Sequence, residues 1–146
     1  MTDQFYMEKA LEQALAAYEA DEVPVGAVLV CGDRIVGRGH NLTEHLNDIT
    51  SHAELIALSA ASEFLGSKYL PDCTLFVTVE PCVMCAGALK WAQIGRLVYG
   101  AADEKYGFMK FGREILHPKT KVEYGLLEEP CSKLIKQFFK KKRDQA

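Results

Sequence analysis

The chain is 146 residues long, 49% apolar and 25% charged, with a formal net charge of −3. That length is enough for one hydrophobic core, and the composition excludes disordered, collagen-like and fibrous classes. No run reaches the roughly eighteen apolar residues needed to span a bilayer. The first ten residues have neither the basic nor the apolar region of a secretory signal, so a cytoplasmic protein without membrane association is expected.

In chain order, Met7, Leu11, Ala14, Leu15 and Tyr18 stand at helical spacing and predict an amphipathic helix over 3–20, which Pro24 blocks from continuing. Val25–Cys31 is an apolar run, and Ile35–Gly39 follows a Gly-Asp turn, the pattern of an antiparallel hairpin. Residues 40–48 read as a polar loop. From about Thr50 to Leu65 the pattern is helical, with Leu55, Leu58, Ser62 and Leu65 on one face. Thr74–Val79 is a buried strand. Pro81 opens a helix to about Ala92, and Arg96–Tyr99 is a further strand. Residues 103–118 are irregular. Lys121–Tyr124 is a candidate last strand, and a terminal helix covers about 131–143 with Leu134, Ile135, Phe138 and Phe139 on its apolar side. Strands alternating with helices predict a three-layer α/β/α sandwich, a central mixed sheet of about five strands within one domain over 1–146.

Two segments carry chemistry: Ser51-His52-Ala53-Glu54 and Glu80-Pro81-Cys82-Val83-Met84-Cys85. Each falls at the start of a predicted helix. Cys82 and Cys85 share a helix face, and thiolates there gain from the positive end of the helix dipole. With His52 they make a Cys₂His set suited to a catalytic zinc ion, which keeps one coordination position open for water. A carboxylate beside that set, Glu54, can move the protons of the reaction without binding the metal. Cys-x-x-Cys alone also fits thiol redox exchange, and Cys31, Cys73, Cys131 or His117 could complete a closed structural zinc site. An odd count of five cysteines argues against a disulfide framework. The joint pattern His-x-Glu followed by Pro-Cys-x-x-Cys is that of zinc-dependent nucleobase deaminases, which places catalytic zinc first.

With these motifs stand Glu22–Val28 (Glu-Val-Pro-Val-Gly-Ala-Val), Gly39-His40-Asn41, Thr78–Ala88, Ile94-Gly95-Arg96, Leu116-His117-Pro118 and Phe138-Phe139. Together they resemble the cytidine-deaminase-like superfamily, and within it the bacterial tRNA-specific adenosine deaminases, over nearly the whole chain. The resemblance implies a cytidine-deaminase-like fold and hydrolytic deamination of a wobble adenosine to inosine. It implies one zinc ion per subunit held by His52, Cys82 and Cys85, with Glu54 as proton shuttle and Asn41 as a hydrogen-bond partner of the target base. It also implies a homodimer with active sites near its interface, and a tRNA anticodon loop as partner. Taken without the resemblance, Asn41 is a turn residue. The alternative substrate is a free nucleobase or nucleoside.

One stretch departs from the family, whose Asp-x-Lys-x-Gly segment is followed by small residues. Here Asp103-Glu104-Lys105-Tyr106-Gly107 runs into Phe108-Met109-Lys110-Phe111-Gly112-Arg113. Basic residues interleaved with aromatics suit unpaired nucleotides; core or dimer packing of Phe108 and Phe111, or a pocket reshaped for a small substrate, are the other readings. Charge is also uneven: residues 1–104 carry 6 Lys/Arg against 15 Asp/Glu, and residues 105–143 carry 11 against 4. The candidate RNA contacts are therefore Lys105, Lys110, Arg113, Phe138, Lys140, Lys141 and Arg143. The plainer reading of the basic end is a solvated last helix turn that complements its own dipole.

Overall fold

A computed structural model describes residues 1–146. The elements are α1 (Asp3–Glu19), β1 (Gly26–Cys31), β2 (Arg34–His40), α2 (Ala53–Leu65), β3 (Cys73–Val79), α3 (Val83–Ala92), β4 (Arg96–Ala101), β5 (Lys121–Tyr124) and α4 (Glu128–Gln145), with two 3₁₀ turns, Phe108–Lys110 and Arg113–Ile115, before β5. The five strands form one sheet in the order β2-β1-β3-β4-β5. β1 pairs antiparallel with β2 and β3, while β3, β4 and β5 run parallel. This is the mixed five-stranded sheet expected from the sequence.

Alternation along the strands builds both faces of the sheet. Ala27, Leu29, Leu75, Val77, Leu97 and Tyr99 join Ala53, Ala57, Ala86 and Leu89 in one core, under α2 and α3. Val28, Val30, Phe76 and Val98 join Tyr6, Met7, Ala10 and Cys131 in the other, under α1 and α4. Strands buried on both faces are near-continuous in apolar residues, which is why Val25–Cys31 and Thr74–Val79 stood out as runs.

Two helix faces differ from the sequence-based expectation. The inward stripe of α2 is Ala53, Ala57 and Ala61, whereas Leu65 is exposed and Leu55 and Leu58 are half-buried. On α1 the stripe is Met7, Ala10, Ala14 and Ala17, with Leu15 exposed. The cause lies in the facing strands. A Cβ on Gly37 would sit 2.2 Å from the Ala57 carbonyl oxygen, one on Gly39 would sit 2.4 Å from that of Ala53, and one on Gly26 would sit 2.1 Å from that of Ala10. Backbone approaches backbone, and only alanine fits between. Replacing Gly39 by Val is therefore expected to push the first turn of α2 off β2. Overpacking of this kind costs about 1–3 kcal/mol. Calorimetry should show a melting point lower by about 3–10 °C.

Helix starts also shift. α2 begins at Ala53 because the Asp48 carboxylate accepts from the Thr50 N–H, the Thr50 hydroxyl and the Ser51 hydroxyl, and so holds 48–51 as a turn. α3 begins at Val83 rather than Pro81. α4 begins at Glu128, earlier than the 131 expected, so that Pro130 is its third residue. Proline is tolerated there because first-turn N–H groups have no partner within the helix. No helix of the chain is long and apolar enough to cross a membrane.

Candidate metal centre and active site

The fold brings the two motif segments together through two helix starts. His52 is the N-cap residue of α2 and Cys82 that of α3, both in extended backbone, and Cys85 lies one turn into α3. His52 Nδ1 stands 3.7 Å from Cys82 Sγ and 3.5 Å from Cys85 Sγ, and the three ligand atoms all lie within 4.8 Å of one another. Metal bonds of about 2.3 Å to sulfur and about 2.05 Å to nitrogen at tetrahedral angles put the two ligand atoms about 3.6 Å apart. The donor set therefore fits a zinc-sized ion. Cys85 is fully buried and Cys82 half-buried.

Electrostatics at the group follow from crowding and burial. The Cys82 thiol is pulled down to about 4 by the hydrogen bond from Cys85, with the hydrogen bond to His52 adding to it. The same bond, with burial, pushes Cys85 upward. His52 is raised, chiefly by its bond to Cys82. A low thiol beside a histidine at a helix start is also the setting of redox cysteines; this group differs in having all three donor atoms within 4.8 Å of one another, the spacing of zinc ligands, with Glu54 buried in the first turn of α2.

Glu54 is the second residue of α2 and only 4% exposed. Burial raises it to about 7, against the charge of His52. Asn41 follows β2 directly and is 8% exposed. Its Oδ1 accepts the Ala53 N–H at 2.8 Å, so the side chain caps the helix that carries His52 and Glu54. With Oδ1 used, the amide NH₂ is the group left to meet a ligand. The turn reading and the base-binding reading thus concern different ends of one side chain.

The other cysteines lie elsewhere. Cys31 and Cys73 face each other across β1 and β3 at the end of β3 remote from Cys82, and Cys131 sits in the core under α4. Burial lifts Cys73 and Cys131 to about 12. The only cluster of three or more potential ligands is His52, Cys82 and Cys85, and none of these cysteines completes it.

The candidate RNA contacts divide. Lys105 and Lys110 are exposed, each over the ring of its exposed neighbour, Tyr106 and Phe111. Phe108 is core. Arg113 turns inward, donating to the backbone carbonyls of His117 and Thr120, and staples the turn before β5. Phe138 is 4% exposed and packed edge-on to Tyr18 and Phe139, so, contrary to the sequence-based expectation of an RNA contact, it is a core residue of the α1–α4 contact. Lys140, Lys141 and Arg143 are all exposed, with Lys141 lying over the Tyr18 ring. Glu22 and Glu80 were not singled out for chemistry in the sequence, yet both are buried beside the loops that carry the site. Their position just ahead of Val-Pro-Val-Gly and Pro-Cys was the available signal.

The family model described as MafB19-like deaminase matches residues 1–143. A tRNA-specific adenosine deaminase of Agrobacterium fabrum is 45% identical over 143 residues, covering 94% of each chain. One of Aquifex aeolicus is 40% identical over 149 aligned positions, covering 99% of this chain and 98% of the relative. A solved structure from a study of A-to-I editing by tRNA deaminases at the wobble position of transfer RNA superposes with a TM-score of 0.83 at 43% identity, covering 89% of this chain and 98% of the other.

Proposed function

Since the chain belongs to the MafB19-like deaminase family and, within it, to the tRNA-specific adenosine deaminases, we propose that it converts the wobble adenosine of a tRNA to inosine with a zinc ion held by His52, Cys82 and Cys85. The observation that carries this reading is the convergence of that donor set with a buried carboxylate at the starts of two helices. The free-base alternative is not favoured, because relatives at 40–45% identity over nearly the whole chain are tRNA-specific enzymes.

The metal, when bound, supplies a Lewis acid that activates water near neutral pH. The chain's own residues do the rest. Glu54 takes a proton from the attacking water and hands it to the ring nitrogen beside C6 as oxygen bonds to C6; the remaining hydroxyl proton then passes through Glu54 to the amine, the C6–N bond breaks, ammonia leaves and C6 becomes a carbonyl. Burial keeps that carboxyl from exchanging its proton with bulk water. The Asn41 amide donates to an acceptor on the base edge and so aims C6 at the site. Asn41 also caps α2, so base binding and catalytic carboxylate are held by one side chain.

Residues 1–146 work as one zinc-dependent deaminase domain, in the cytoplasm where tRNA is available. Inosine should appear when the zinc-loaded protein is incubated with an anticodon stem-loop RNA bearing a wobble adenosine, and the RNA is digested to nucleosides. A digest holding only adenosine would overturn the assignment.

The chain acts as a homodimer. Trp91 is 83% exposed on α3, on the same helix face as the exposed Met84 two turns earlier. A tryptophan so exposed, in line with an exposed methionine on the helix that carries Cys85, suits an interface. Sedimentation should give twice the chain mass of 16.2 kDa. Trp91→Glu should give the single chain.

Lys140 and Arg143 contact the phosphate backbone. Their joint replacement by Ala is expected to lower the slope of log affinity against log salt by about 1.4, at about 0.7 per contact for single strands. Fluorescence anisotropy across a salt series measures it.

A further inference from the structure

Two carboxylates outside the metal group are buried with neither Lys nor Arg against them. Glu22, just after α1, is 0% exposed, and Glu80, just after β3, is 7% exposed. A buried carboxylate needs compensation, and here backbone N–H groups of one loop each supply it. Glu22 accepts from the Glu44 N–H at 3.1 Å, the His45 N–H at 2.8 Å and His45 Nδ1 at 2.6 Å. Glu80 accepts from the Asp103 N–H at 3.0 Å through one oxygen and from the Met109 N–H at 2.9 Å through the other.

The two loops gathered in this way border the metal group from opposite segments. The first begins at Asn41, which caps α2, and ends at His52. The second is joined to the other ligand turn: Gly107 forms a β-bridge with Cys82, and Phe108 donates its N–H to the Pro81 carbonyl at 3.0 Å. A Cβ on Gly107 would stand 2.2 Å from the Glu80 carboxylate, so the loop closes directly onto that side chain. The first rim presents Leu46 and Ile49 to solvent, and the second presents Tyr106 and Phe111 beside Lys105 and Lys110. Apolar faces next to cations suit unpaired nucleotides.

We infer that Glu22 and Glu80 are positioning residues, one for each rim, that hold the two loops in the conformation that receives the nucleotide to be deaminated. The inference rests on the deaminase reading above. Neither residue acts on the reacting atoms. Each works through the backbone it anchors, so its loss should weaken the fit of substrate while leaving the metal in place.

The test uses the zinc-loaded protein with Glu22→Gln, Glu80→Gln, the double variant and Met7→Ala. Glutamine keeps the shape but points an NH₂ at an N–H donor. Each single variant is expected to lose about tenfold or more in kcat/KM on the anticodon stem-loop, chiefly through KM, as displacement of substrate-positioning groups does. The double variant should lose about the product of the two, because the rims are separate. Zinc should stay at one per chain. Met7 is fully buried on the inward face of α1, in the core away from the site, so Met7→Ala supplies a matched loss of melting temperature with kcat/KM within about twofold. If Glu22→Gln fails to fold, His45→Ala removes one of the three donors from an exposed side chain and should cost about threefold. Glutamine variants that match Met7→Ala in kcat/KM, or that lose zinc, overturn the inference. A wild-type protein inactive on the stem-loop overturns the substrate reading instead, and the same ratios are then read on the free base that it does deaminate.

Discussion

Glu54→Gln should lower the single-turnover rate on stem-loop RNA by about 10³- to 10⁴-fold, the upper part of the range for a lost general acid–base. On the proposed mechanism the same side chain serves the proton movements from water to the ring and the amine, so no second group would cover for it. Glutamine has the same shape and the carboxylate is not among the three donors of the metal cluster. Zinc content and RNA affinity should therefore stay near wild type. The loss belongs in kcat rather than KM, because the interaction is made as protons move. A rate within tenfold of wild type would show that another residue moves the protons.

Cys85→Ser should abolish stable metal binding and, with it, activity. Cys85 is fully buried and supplies one of only three donors. A serine oxygen is shorter and far less acidic than a thiol, and the site offers no spare ligand. The effect on stability can be read separately. A metal present at about a thousand times its dissociation constant stabilises the folded chain by about 4 kcal/mol. For a chain of this size that is about 8–16 °C of melting temperature. A strong chelator is expected to lower the wild-type melting point by that amount and to leave Cys85→Ser unchanged. Equal chelator shifts in both proteins would mean that Cys85 is not a ligand.

The chemistry was legible because it depends on residue type and spacing. His52, Glu54, Cys82 and Cys85 stand at helix starts that proline and the polar residues before each helix announce, and the structure brings the metal donors together as the spacing implied. The strand runs were equally plain, since a sheet covered on both sides needs little polarity. Packing faces were not. A hydrophobic stripe of leucines on α2 looked like the inward face, but Gly37 and Gly39 on the facing strand select alanines by close approach. That selection is made between segments, and no window along α2 contains it. Phe138 is a similar case: a chain of aromatics and lysines does not tell which ring turns inward until Tyr18 is seen against it. Asn41 shows a further limit, because its cap on Ala53 joins residues 12 positions apart in the chain.

The most direct test is the mass of the product RNA formed in ordinary water and in oxygen-18 water. Hydrolytic replacement of an amine by oxygen adds about 1 Da in the first and about 3 Da in the second. Both shifts should fall on the wobble nucleotide of the stem-loop and be absent with Glu54→Gln. No shift, a shift at another base, or a shift that survives in Glu54→Gln would contradict the assignment of this site to wobble-adenosine deamination through Glu54.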